Sequence, residues 1–178
     1  MFGLSVDAIG KSGGLALLWH KQVHVDLLSF SKGHIDARVK LTDEESYWRF
    51  TGFYGAPDAS QRSISWNLLR HLSTISNLPW LCTGDFNAIL SDTEKESANP
   101  TPPRHLHDFR NALIDSRLFD VGFSGHPFTW CNNRESPYTV RKRLDRACTN
   151  SAWNNCGPIH MFPIFGEFIQ TMPRYYLS

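Results

Sequence analysis

The chain has 178 residues, of which 41% are hydrophobic and 20% are charged. This length and balance predict one globular domain with a sizeable core, and they exclude a disordered or fibrous protein. The formal net charge of +1 lacks the overall basic excess of a dedicated nucleic-acid-binding module, so any phosphate-binding surface would have to be local.

Cysteine spacing and hydropathy indicate where the protein works. The four cysteines lack the paired spacing of a zinc site, so reduced thiols are expected. The first residues do not form a secretory signal, and no apolar run approaches membrane-spanning length. We therefore expect an intracellular protein that is not secreted and does not enter a membrane.

Most of the first third of the chain is predicted to form strands. GGLALLWH, from Gly13, is an apolar run behind a glycine pair, which is typical of a buried strand. Residues 23–30 and 34–41 flank a short polar turn, and the second run alternates apolar with polar residues, which indicates a hairpin. The aromatic run at residues 47–55 predicts a third strand of an antiparallel meander, closed by Pro57.

Helical spacing follows. Apolar residues recur three or four positions apart in residues 63–77 and 103–117, which predicts two helices. Between them, LPWLCTGDFNAIL predicts a buried strand ending in a Gly-Asp turn, followed by a surface loop at residues 91–103. Short strands are predicted at residues 128–131 and 143–149. Mixed elements without a strict β-α-β repeat predict an α/β sandwich with helices outside two layers of sheet.

Three positions carry groups suited to phosphate chemistry. Asp85 and Asn87 follow a buried strand, where the carboxylate could activate water and the amide could donate to a phosphate oxygen. An isolated G-D-x-N is more commonly a plain turn. Tyr54 ends its own strand, where its phenol could reach a phosphate or remain a half-buried aromatic. Asp145 lies among cations, where a surface ion pair is the alternative to a site role.

A basic cluster surrounds Asp145. Its side chains could bind nucleic-acid phosphates locally, or they could form an ordinary solvated face. Its members are Arg141, Lys142, Arg143 and Arg146.

The order of the motifs is more specific than any one of them. RFTGFYGAPDASQR, PWLCTGDFNAILSDTEK, GHPFTWCNNR and RKRLDRA resemble the endonuclease/exonuclease/phosphatase superfamily, and within it the endonuclease domain of plant non-long-terminal-repeat (LINE-type) retrotransposons. We expect a partial domain of this family at residues 12–153 and a divergent tail at residues 154–178. The resemblance implies a DNase I-like α/β fold: an incomplete four-layer sandwich of two mixed, mainly antiparallel sheets flanked by helices.

The same resemblance implies a magnesium-dependent DNA endonuclease. Asp85 would help position and activate the attacking water, Asn87 would contact the scissile phosphate, and Tyr54 would line the phosphate pocket. Asp145 would orient a histidine near the end of the chain. Magnesium would polarise the phosphate and stabilise the leaving oxygen. DNA is the implied partner, and the family suggests a nuclear location and a monomer without a protein partner.

Two elements of the family pattern have no counterpart in the sequence. The strand that ends in a metal-binding glutamate is not found before Gly13, where Asp7 is the only acid and is predicted to lie in a solvated turn. The metal ligands therefore stay unassigned. The serine-aspartate-histidine strand is not found after Trp153, and His160 is expected to be non-catalytic.

These two differences predict that the chain is truncated at both ends of the active site and is inactive. The alternative to an enzyme is a non-catalytic remnant or a weak nucleic-acid-binding domain. A third alternative keeps the fold but changes the substrate to a phosphoinositide or sphingomyelin, against which the retroelement-like sequences around each motif argue.

Overall fold

A computed structural model of the chain describes residues 1–9 and 12–156. Its strands are β1 (Phe2–Ile9), β2 (Ser12–Trp19), β3 (Val23–Ser31), β4 (His34–Leu41), β5 (Trp48–Tyr54), β6 (Trp80–Asp85), β7 (Lys95–Glu96), β8 (Phe119–Asp120), β9 (Trp130–Cys131), β10 (Arg141–Lys142) and β11 (Asp145–Thr149). Its helices are α1 (Arg62–Ser73), α2 (Pro103–Asp115) and α3 (Ser151–Cys156), with short 3-10 turns at Ala59–Gln61 and Asp92–Glu94.

A six-stranded mixed sheet organises the fold in the order β3-β4-β5-β6-β11-β8. Its pairs are antiparallel except for β5 and β6, which are parallel. Parallel neighbours need a crossover connection, and α1 lies within that connection. As a consequence, β5 and β6 end at the same edge of the sheet. The predicted antiparallel meander of β3, β4 and β5 is confirmed.

The helices α1 and α2 cover one face of this sheet. Trp66 of α1 stacks on Phe109 of α2 with ring centroids 4.7 Å apart, and both pack with Phe53 and Phe86 in one buried cluster. The helix predicted at residues 63–77 ends earlier, at Ser73, because the hydroxyls of Ser73 and Thr74 donate to carbonyl oxygens in the last turn.

The hairpin of β1 and β2 covers the opposite face. Leu4, Val6 and Leu17 pack with Phe50 and Leu81 of the central sheet, so the apolar sides of both layers are buried. A two-stranded sheet, a six-stranded sheet and a helix layer therefore follow one another, and a small three-stranded sheet of β7, β10 and β9 lies beside them.

The structure corrects one expectation at the start of the chain. Residues 2–9 form β1, which pairs antiparallel with β2 along its length. Asp7 is therefore an exposed strand residue and does not lie in a turn. The physical reason is pairing with β2, which satisfies the backbone hydrogen-bonding groups of this segment. The apolar alternation of the segment itself is short.

Two further expectations concern cysteines and membranes. Cys82 and Cys148 face each other across β6 and β11 as buried free thiols, and Cys131 is also free. No helix in the described part of the chain is long and apolar enough to cross a membrane.

Candidate active site

Three of the predicted site residues share one row at an edge of the central sheet. Tyr54 is the register partner of Asp85 between β5 and β6, and Asp85 is the register partner of Asp145 between β6 and β11. Residues directly opposite each other on neighbouring strands point to the same face and lie roughly 5 Å apart. The sheet topology therefore brings together two carboxylates and a phenol that are far apart in sequence.

The Gly84-Asp85-Phe86-Asn87 turn fixes the position of Asp85. Gly84 has φ of +144°, and a Cβ there would collide with the carbonyl oxygen of Phe53, so only glycine lets β6 approach β5 this closely. The backbone N–H of Asn87, a residue with φ of +52°, donates to Oδ1 of Asp85 at 2.7 Å. The turn interpretation and the site interpretation of this motif therefore describe the same geometry.

Asn87 joins the two sequence motifs across the sheet edge. Its Nδ2 donates to the carbonyl oxygen of Gly55 at 2.9 Å, directly after Tyr54. A side-chain amide nitrogen carries two hydrogens, so this bond orients the amide and leaves one N–H to donate elsewhere. The side chain is only partly buried, and it lies beside the row of Tyr54 and Asp85.

Asp145 is held by the segment before β9. The backbone N–H groups of Leu144 and Asp145 both donate to the hydroxyl oxygen of Thr129, each at 3.0 Å. This bond pair fixes the point at which β11 begins, opposite Asp85. No described histidine pairs with Asp145, and His160 lies outside the described residues. The family role of Asp145 in orienting a histidine therefore stays a prediction.

The two carboxylates do not behave as surface acids. Burial and, to a smaller extent, the neighbouring Asp145 carboxylate raise the pKa of Asp85 to about 6. Burial also raises the pKa of Asp145. A carboxylate that gains or loses its proton near neutral pH is suited to general base catalysis.

Arg62, the first residue of α1, is a site residue that the sequence patterns do not reveal. Its positive charge acts on Asp85 and lowers the pKa of that carboxyl against the effect of burial. Its Nε is buried and has no hydrogen-bond partner among the described residues, and its Nη2 makes only a long bond, 3.5 Å, to the carbonyl oxygen of Pro57. An arginine that ends the YGAPDASQR segment is the only sequence signal for it.

Within the basic cluster, Lys142 lies near enough to Arg62 for the two positive charges to interact, which places it on the side of the catalytic edge. Burial lowers the pKa of its ammonium group, and the nearby charges of Lys95 and Arg62 lower that pKa further. Its Nζ lies 5.5 Å from the ring centroid of Trp130. Cations held near one another in this way suit an anionic ligand.

The predicted nucleic-acid-binding cluster is wrong for Arg143 and Arg146. Both side chains are almost fully buried, and both bridge Glu94 and Asp120. The four ion-pair distances lie between 2.5 and 2.9 Å, so these guanidinium groups are engaged inside the protein. Arg141 is exposed but pairs with Glu96 at 3.0 Å. The cluster is therefore not a solvated cationic face.

A magnesium ion fits this edge only in part. The described residues contain no group of three or more histidine, cysteine, aspartate or glutamate side chains that could hold a metal ion. They do contain the facing carboxylates of Asp85 and Asp145. Magnesium commonly uses one or two carboxylates, together with water and substrate phosphates, so this pair has the donor chemistry for one side of such a site.

The mixed sheet thus carries a row of partly buried carboxylates with cations nearby. Residues 4–161 match the Endonuclease/Exonuclease/phosphatase family, and the chain belongs to that family. Its members are nucleases and phosphatases, which supports a hydrolase of the nuclease or phosphodiesterase type. No curated protein matches the chain.

Solved structures share the fold at low sequence identity. The endonuclease domain of TRAS1, a telomere-specific non-LTR retrotransposon, has a TM-score of 0.63 and 12% identity, over 86% of this chain and 68% of that one. TDP2 of D. rerio, complexed with a single-strand DNA product, has a TM-score of 0.50 and 17% identity, over 86% of this chain and 63% of that one. These likenesses confirm the DNase I-like α/β fold that the sequence predicts.

Proposed function

We propose that this chain carries a divalent-metal-dependent endonuclease site that hydrolyses phosphodiester bonds in DNA, as part of a retroelement. The observation that carries the proposal is the in-register pair of Asp85 and Asp145, with the pKa of Asp85 raised to about 6. The likeness to a retrotransposon endonuclease domain supports the retroelement origin.

Each side chain at the edge has a role that its contacts support. Above about pH 6, Asp85 is ionised and accepts a proton from the attacking water while orienting it. Asn87, held by Gly55, donates its remaining amide hydrogen to a phosphate oxygen. Tyr54 lines the phosphate pocket from the neighbouring strand. Arg62 supplies a positive charge beside the phosphate.

The carboxylates at the sheet edge are the reason that the proposal includes a magnesium ion. Asp145 would hold a magnesium ion from the protein side, together with ligands that we do not assign, which leaves Asp85 as the base. The chemistry that such an ion would supply is polarisation of the phosphate and stabilisation of charge on the leaving oxygen. Without the ion, burial and the Asp145 carboxylate raise the pKa of Asp85.

The alternative of a weak nucleic-acid-binding domain loses support because it relied on the basic cluster. Arg143 and Arg146 are buried in ion pairs and are not available to bind phosphates. The inactivity that the sequence predicts is the alternative to this proposal, and a nicking assay decides between them. We expect the protein to act on DNA as a monomer in the nucleus.

Nicking of supercoiled plasmid in the presence of magnesium tests the proposed function. We expect nicking that is lost on chelation with EDTA and that Asp85→Asn lowers about 100-fold or more, because the substitution removes the base. Asp43→Asn, which changes an exposed loop aspartate, is the matched control and should leave the rate unchanged. Equal background nicking by the wild-type chain and Asp85→Asn would contradict the proposal and support the expectation of inactivity.

A further inference from the structure

We propose that a groove between α1 and α2 binds the phosphate backbone of the DNA duplex that extends away from the cleavage site. This inference rests on the proposed function. The groove, here called the helix groove, has a volume of about 500 Å³. Its charged lining consists of Arg62 and Arg70 from α1 and of Arg104 and Asp108 from α2.

The helix groove is related to the active site through Arg62. The Trp66–Phe109 stack and the Arg70–Asp115 ion pair, at 2.8 Å, show that α1 and α2 lie side by side with the same direction. Both helices therefore begin at the same end of the groove. Arg62 lines that end and also acts on Asp85, so this end of the groove lies on the side of the catalytic edge.

The groove has an excess of positive charge in a chain whose net charge is only +1. Arg70 is already paired with Asp115 at 2.8 Å, which leaves Arg62 and Arg104 against one lining carboxylate, Asp108. Arg104 is held only loosely by Asp108, at 3.6 Å, and its side chain is 87% exposed. Arg62 has a buried Nε without a hydrogen-bond partner among the described residues. These guanidinium groups are free to form charge-assisted bonds to phosphate oxygens.

The helix ends add no negative charge to the groove, since neither α1 nor α2 has an acidic residue in its first turn. Their first backbone N–H groups are engaged within the chain, because that of Arg62 donates to the carbonyl oxygen of Ala59 and that of His105 to the carbonyl oxygen of Pro102. The attraction for an anion therefore comes from the guanidinium groups. The combination fits a polyanion and does not fit an apolar or cationic partner.

Binding of a fluorescent DNA duplex of about 20 base pairs, measured by anisotropy in EDTA so that no cleavage occurs, tests this inference. Arg104→Gln is expected to weaken binding about fivefold to tenfold near 0.1 M salt, and to reduce the slope of log affinity against log salt by about 1. Asp108→Asn is expected to strengthen binding, since it removes the one groove carboxylate. Arg117→Gln, an exposed arginine just beyond the far end of α2, is the matched control and should match the wild-type chain.

The expected changes in DNA affinity of Arg104→Gln and Asp108→Asn are opposite in sign, so a general loss of folding cannot produce both. Unchanged affinity and salt slope in both Arg104→Gln and Asp108→Asn would overturn the inference, as would a wild-type chain that does not bind the duplex. If these variants behave as expected but no magnesium-dependent nicking occurs, the proposed catalytic function fails and the binding surface stands. If nicking occurs but the groove substitutions do not change binding, the proposed function stands and the inference about the helix groove fails.

Discussion

Asp85→Asn is expected to make the folded chain more stable at about pH 8 while removing its nuclease activity. The pKa of Asp85 is raised from 3.8 to about 6, so the folded state binds this proton more tightly than the unfolded state does. Ionisation of Asp85 therefore destabilises the fold, by about 3 kcal/mol once the pH is above both pKa values. An asparagine carries no charge, and it can still accept the hydrogen bond from the backbone of Asn87.

Thermal unfolding of the wild-type chain and Asp85→Asn at two pH values measures this effect. At about pH 8 we expect the variant to unfold roughly 6–12 °C higher, given the usual relation between free energy and midpoint for a domain of this size. The difference should nearly vanish at about pH 4, where the folded wild-type chain holds the proton. Asp43→Asn should follow the wild-type chain at both pH values. Equal midpoints at about pH 8 would show that burial and the Asp145 carboxylate do not raise the pKa of Asp85.

Arg146→Met is expected to destabilise the fold by about 3–5 kcal/mol, because it leaves buried carboxylates without one of their two partners. The Arg146 side chain is 0% exposed and pairs with Glu94 at 2.9 Å and with Asp120 at 2.5 Å. After the substitution, Arg143 alone faces both acids. The network joins the loop at residues 91–96 to β8 and β11, so its loss should also loosen the strand that carries Asp145.

Urea unfolding measures this loss, with Arg141→Met as the matched control from the same basic cluster. Arg141 is exposed and makes a surface ion pair with Glu96, which contributes little to stability, so the control should unfold close to the wild-type midpoint. Similar midpoint shifts in both variants would contradict the division of the cluster into buried and exposed arginines. A small shift in Arg146→Met would show that its carboxylate partners reach water.

The parts of the fold that sequence predicts are those set by local pattern. The strand β4 and the helices α1 and α2 form where the local pattern predicts them. The buried faces differ in two places. His34 and Asp36 of β4 are buried because both faces of the central sheet are covered, and α1 buries Trp66 and Leu69 while Ile64 is exposed. β1 is different, because its short alternation of Leu4 and Val6 with polar residues becomes a strand through pairing with β2.

The candidate site shows the same division. The motifs identify Tyr54, Asp85 and Asp145, and the sheet register then brings them into one row. The burial of Arg143 and Arg146 could not be predicted, since their partners Glu94 and Asp120 lie on other segments and pair with them only after folding. The proximity of Arg62 to Asp85 likewise depends on where α1 begins relative to the sheet edge.

The magnesium-dependent nicking rate of the wild-type chain, measured from about pH 4 to about pH 8 at constant ionic strength, tests the proposed role of Asp85 most directly. If Asp85 is the base, the rate should rise about tenfold per pH unit below the pKa of its carboxyl, which is about 6 without the metal ion and lower beside it, and should level off above that pKa. Asp85→Asn should show no such rise. A rate that is independent of pH across this range, or a rise that persists in Asp85→Asn, would contradict the assignment of Asp85 as the catalytic base.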